Sequence, residues 1–142
     1  MNKKIFLAII TYLFFNIGHA QVVSINGDYI SQKTSFQDVN NPDNSFVEEV
    51  INNIFIQIDD NCGVFAFQNM RFPNNILSYK INSFKGKIDD GENEIFTYNC
   101  TSLHSEEPSL EKIILYIFEN RSINVKISDS TSNQIFYGLI KQ

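Results

Sequence analysis

From Asn52 onward the chain alternates apolar and polar residues with a period of two, in short runs broken by polar turns. That period belongs to strands, in which successive side chains point to opposite faces of a sheet. Ile54, Ile56 and Ile58 alternate with Asn53, Phe55 and Gln57, Asp60-Asn61-Cys62-Gly63 supplies a turn, and Val64 to Met70 returns with Phe65 and Phe67 on one face. Leu77, Tyr79 and Ile81 repeat the pattern against Ser78, Lys80 and Asn82. Asp89-Asp90-Gly91-Glu92 breaks it, and in Glu94 to Thr101 the residues Phe96, Tyr98 and Cys100 share a face. Pro108 marks a loop, and Lys112 to Phe118 is apolar on both faces, as in a doubly covered strand. Ile123, Val125 and Ile127 alternate with Asn124, Lys126 and Ser128, and Gln134 to Ile140 closes the series.

Upstream, Ser24 to Ile30 reads as a first strand and Gln37 to Ser45 as a loop. Ser45-Phe46-Val47-Glu48 fits a capping box and starts a short helix through Ile51, or the same residues extend the Asn52 strand backwards. No helical stretch is long enough for a crossover. The expected fold is mainly β: an antiparallel up-and-down meander of about seven strands, with at most one short helix. Curling into a closed or half-open barrel removes its exposed edges.

The N-terminus carries a different signal. Lys3 and Lys4 precede an apolar run from Ile5 to Phe15, and Gly18-His19-Ala20 follows with small residues before Gln21. These are the three regions of a secretory signal peptide, and the run falls short of the roughly 20 residues a spanning helix needs. The expectation is a signal peptide over 1–20, cleaved after Ala20, and one domain over 21–142, secreted or periplasmic, with no membrane span after cleavage. Losing Lys3 and Lys4 from 11 basic residues against 16 acidic ones leaves a net charge of −7. Such a chain repels phosphate backbones, which argues against nucleic acid as a partner. Cys62 and Cys100, a pair in an oxidising compartment, are expected to form one disulfide, two free thiols being the alternative. Cys100 on the inward side of a strand end could meet Cys62 at the hairpin tip. His104 is the one histidine downstream of the signal, too few for a tetrahedral metal shell with these thiols.

Gly27-x-Tyr29 in the first strand, the up-and-down strand series and a single bridge in an exported chain resemble small exported lipocalin-like barrels of the calycin type. That family often carries Gly-x-Trp here; this chain has no Trp, and Tyr29 stands in its place. The resemblance implies an apolar cavity or groove that holds a small hydrophobic ligand.

Groups that could carry catalysis are few. Ser102, His104 and Glu106 alternate in a polar loop and read as solvated, and no nucleophile elbow, phosphate-cradling loop or His-Glu-x-x-His is present. Asp59-Asp60 and Asp89-Asp90 with Glu92 and Glu94 lack the spacing of a calcium loop and read as hairpin tips. No catalytic residue, metal or cofactor is expected. The leading expectation is a non-enzymatic binding module for an apolar small molecule, lined by Phe65, Phe67, Tyr79, Phe96, Tyr98 and Tyr137, which otherwise form a packed core. Phe55, Phe118 and Phe136 fall on the opposite phase of their strands. If they cluster outside they form a docking face, unless the segment around Phe36 and Phe46 covers them. The alternative function is therefore a secreted interaction or inhibitor protein that binds another protein through that face or through the acidic loops.

Overall fold

The computed structural model describes residues 24–104 and 109–142; the signal segment with its cleavage point, and Glu106, lie outside the described residues. Eight strands follow one another: β1 (Gly27–Asp38), β2 (Phe46–Asp59), β3 (Cys62–Asn69), β4 (Ile76–Asp89), β5 (Asn93–Ser102), β6 (Leu110–Phe118), β7 (Ile123–Ser128) and β8 (Ser132–Lys141). Each pairs antiparallel with the next, and β8 returns to β1, so the meander is a closed barrel. The expected class holds, with eight strands where about seven were expected. Closure itself requires an even number, because in an up-and-down ring the last strand must run antiparallel to the first.

The alternation read from the sequence becomes an inside and an outside. Ile54, Ile56, Phe65, Phe67, Tyr79, Ile81, Tyr98, Cys100, Ile113, Leu115, Val125 and Phe136 are buried in one core. Each large apolar side chain removed from water contributes about 1.5–3 kcal/mol before its ordering entropy is counted. The intervening positions, among them Glu49, Lys80 and Lys112, are exposed on the wall.

Residues 46–51 resolve in favour of the strand. Ser45 has extended backbone, and its Oγ accepts the Asp38 N–H at 3.2 Å instead of capping a helix. The one helical turn lies earlier, at Pro42–Asn44. Pairing of Phe46 with Phe36 and of Val47 with Ser35 satisfies the main chain that a short helix would leave open.

Register shifts interrupt the ladders and decide which way side chains point. In the β7–β8 ladder Ile123 pairs with Leu139 and Val125 with Phe136, two steps on one strand against three on the other. Gly138, at φ +57°, supplies the left-handed residue of this bulge. Opposite it, β1 shifts against β2 between Ser31 and Lys33, and the buried Ser31 Oγ lies 2.9 Å from the carbonyls of both Lys33 and Tyr137.

Candidate functional site

The aromatic interior is assembled from five strands, with its central rings on three of them. Phe65 and Phe67 on β3, Tyr79 on β4 and Phe136 on β8 are all buried. Ring centroids lie 4.7 Å apart for Phe67 and Phe136, 6.3 Å for Phe65 and Phe136, 6.2 Å for Phe65 and Tyr79 and 6.5 Å for Phe67 and Tyr79. These are contact distances, so the rings occupy one another's space. Tyr98 is buried beside Phe84, and Phe96 is half-buried against the core under the ammonium of Lys87. At one end Tyr29 is buried and donates from its hydroxyl to the Ile25 carbonyl at 2.7 Å.

Two expected placements are corrected by the bulge at Gly138. Tyr137, expected to line the interior, lies on the wall: its ring sits 5.6 Å from the Lys33 ammonium and its hydroxyl 3.0 Å from Ser35 Oγ. Phe136, expected outside, is fully buried. The extra residue on β8 reverses the phase that Leu139 and Tyr137 would otherwise have imposed on Phe136.

The three-phenylalanine face does not form. Phe55 is 41% exposed on β2 and Phe118 is half-buried on β6, and these strands stand four apart in either direction around an eight-stranded ring. Phe36 and Phe46 do not cover Phe55; they stack on each other at 5.5 Å, and Phe46 lies about 30 Å along β2 from it. What Phe55 does border is a groove of about 450 Å³ across the outer wall of β1 to β4, with Asp28, Asn53, Ala66, Gln68 and Ile76 as neighbours. Ala66 pairs with Phe55 on one side and Ser78 on the other, so two small side chains form a low floor beside a large ring. Ile51, Met70, Phe72 and Ile76 are exposed on this side of the barrel. Ala66 and Ile76 were missed from the sequence. The available signal was a lone alanine on the outward phase of β3.

Ser102 and His104 do come together, without the geometry of a nucleophile and its base. Ser102 Oγ is 3.2 Å from both imidazole nitrogens and so faces the carbon between them, while a base must aim one nitrogen's lone pair at the hydroxyl. The imidazole packs edge-on against Tyr79 at 5.1 Å, and its Nδ1 lies 3.2 Å from the Ser78 carbonyl. Among the acids, Asp90 accepts the N–H groups of Glu92 at 3.1 Å and Asn93 at 2.7 Å. Hydrogen bonds from the Asn93 side chain and main chain hold its carboxyl below the usual range, and Asp89 accepts the Gly91 N–H at 3.0 Å. These carboxylates build turns. Among the described residues no three potential metal ligands converge.

The expected disulfide is absent: Cys62 is an exposed free thiol and Cys100 a buried one. Gly63 pairs with Ile81, which pairs with Cys100, so the cysteine-bearing strands are two apart, about 10 Å. Cys62 also takes the outward phase opposite to Phe65, whereas Cys100 points inward. A disulfide needs Cα atoms within about 7 Å and converging Cβ directions. In the folded protein a thiol-directed alkylating reagent is expected to modify Cys62 rapidly and Cys100 only after unfolding, with no two-hydrogen deficit in the intact mass. A single linked species would contradict this arrangement.

Burial also sets a pH dependence. Cys100 is pushed up to about 12 by burial, with the Glu111 carboxylate adding to it, and burial raises the hydroxyls of Tyr29, Tyr79 and Tyr98 above their ordinary value. The unfolded chain therefore releases these protons first, from about pH 9 for the thiol, and stability falls as pH rises. What these groups contribute is intact below pH 9 and is lost toward Cys100's folded value, at up to about 1.4 kcal/mol per pH unit for each group. Urea midpoints are expected to hold level up to about pH 9 and then to fall toward about pH 11; a flat profile across that range would contradict the burial.

No protein-family model, curated protein or solved structure matches the chain. The fold and surface define a closed eight-stranded up-and-down barrel with packed aromatic rings inside and, on its outer wall, a groove of mixed polar and apolar lining around Phe55.

Proposed function

We propose that this protein is an exported, non-enzymatic interaction module that docks another protein on the outer wall of its barrel, around Phe55. The supporting observation is the division of its apolar surface. Phe65, Phe67, Tyr79 and Phe136 are spent on one another, while Phe55 and Ile76 stand exposed beside the groove. Large apolar residues around a concavity are where binding energy between proteins concentrates. A small apolar ligand inside the barrel would have to part four packed rings. The groove's volume favours a second reading, in which such a ligand sits on the wall, because pockets for small molecules span about 300–1,000 Å³.

Native mass spectrometry of residues 21–142 taken from the exporting cell separates the two. The expected result is a protein complex that Phe55→Asp weakens about thirtyfold, the loss typical of a central anchor, with the variant's stability within about 0.5 kcal/mol of the parent. A non-covalent adduct of roughly a few hundred daltons in its place would support the ligand reading. A bare monomer of the parent protein would overturn both.

A further inference from the structure

β2 overhangs its neighbour. β1 accompanies it as far as Phe46, opposite Phe36, whereas the β2–β3 ladder stops at Asn52 opposite Asn69. One further bond, from the Met70 N–H to the Ile51 carbonyl at 3.0 Å, ends the pairing before the chain turns away through Arg71 and Phe72. Among the described residues, the main chain of Phe46 to Glu49 has no main-chain partner on the side away from β1, and the Val50 carbonyl accepts only the Asn52 side-chain amide, at 3.1 Å. Such an edge presents unpaired N–H and C=O groups in strand geometry, which is a template for another strand.

The side chains along this edge narrow the occupant. Val47 and Ile51 are exposed at 63% and 49%, and Met70 and Phe72 are exposed in the adjoining turn. Neither Pro nor Lys blunts the segment. Glu48 is already paired with Arg71 at 2.8 Å, while Glu49 is exposed and has no ion-pair partner among the described residues. A second copy fits poorly. Antiparallel self-pairing of Phe46 to Val50 sets Glu48 opposite its own counterpart, and like charges directly opposite each other destabilise a sheet. We infer that this edge accepts an extended segment of a partner protein in which a lysine or arginine meets Glu49 and β-branched residues two positions to either side of it meet Val47 and Ile51, the three sharing one face of β2. The inference rests on the docking reading above and gives that partner its chemistry.

The test uses isotope-labelled protein, residues 21–142, and a blocked seven-residue threonine-based peptide with lysine at its centre and valine two positions to either side. Main-chain amide exchange of residues 46–51 is expected to slow at least tenfold at saturating peptide, with smaller changes elsewhere. The same peptide with glutamate at its centre is expected to bind at least tenfold more weakly, and Glu49→Lys to reverse that preference. The lysine-centred peptide N-methylated at every residue, which keeps the side chains but has no main-chain donors, is expected not to bind. Absence of protection over residues 46–50 at saturation, or equal binding of the N-methylated form, would overturn the inference without altering the protein. The two readings fail separately. Loss of the natural complex in Phe55→Asp without edge protection leaves the docking wall standing and removes the strand site. Edge protection together with an unweakened Phe55→Asp complex does the reverse.

Discussion

Replacing Phe136 with alanine is expected to cost about 3–5 kcal/mol of stability, whereas Phe55→Ala stays within about 0.5 kcal/mol. The two residues share an outward phase in the sequence and have opposite fates in the fold. Phe136 is fully buried, its ring 4.7 Å from that of Phe67 and 6.3 Å from that of Phe65. Its removal leaves a cavity among rings whose backbones are tied into a closed ladder, so the walls cannot collapse to fill it. Against a total stability of about 5–15 kcal/mol for a domain, that loss brings the protein near its unfolding limit at ordinary temperature. Phe55 is 41% exposed and gives up little on truncation. Urea denaturation of both variants measures the difference directly. Equal midpoints would mean that β8 keeps its simple alternation and that the bulge at Gly138 is wrong.

Gly63→Ala is expected to cost about 3 kcal/mol, for want of space alone. A Cβ at Gly63 would stand 1.9 Å from the Gln57 carbonyl oxygen and 2.9 Å from the Gln57 carbonyl carbon and Ile58 Cα. All three are backbone atoms of the paired strand, so relief requires moving β3 away from β2. Two residues on, that movement reaches Phe65, which is fully buried among the aromatic rings. Gly86→Ala is the matched control, since a Cβ there meets nothing within 4 Å. It is expected to be neutral or to gain a few tenths of a kcal/mol by restricting the unfolded chain. Indistinguishable denaturation midpoints for the two variants would contradict the close approach at the β2–β3 hairpin.

Much of this barrel was legible in single strands. Ile54 and Ile56, Phe65 and Phe67, Tyr79 and Ile81, and Tyr98 and Cys100 all face inward as their period requires. Burying one face of a sheet constrains each strand locally, and a one-residue slip would expose the whole set. The candidate site was less legible. Phe55 was recognised as outward, but its neighbours Ala66 and Ile76 come from other strands, and which residues lie beside it depends on register. Residues 45–51 were ambiguous because a capping box and a strand extension are both local possibilities, and the choice came from an available partner in β1.

By itself the sequence determined the class of fold, the hairpin order and the inward phase of β2 to β5 and of β7, because alternation, turn residues and the absence of crossover helices are properties of neighbouring residues. Only the tertiary structure decided the closure at eight strands, the inversion of Phe136 and Tyr137, the separation of Cys62 from Cys100, and the open edge of β2. Each of these depends on the register between strands, whether consecutive in the chain, as β7 and β8 are, or far apart, as β1 and β8 are. Register is set by how the whole ring closes and packs, which no local pattern encodes.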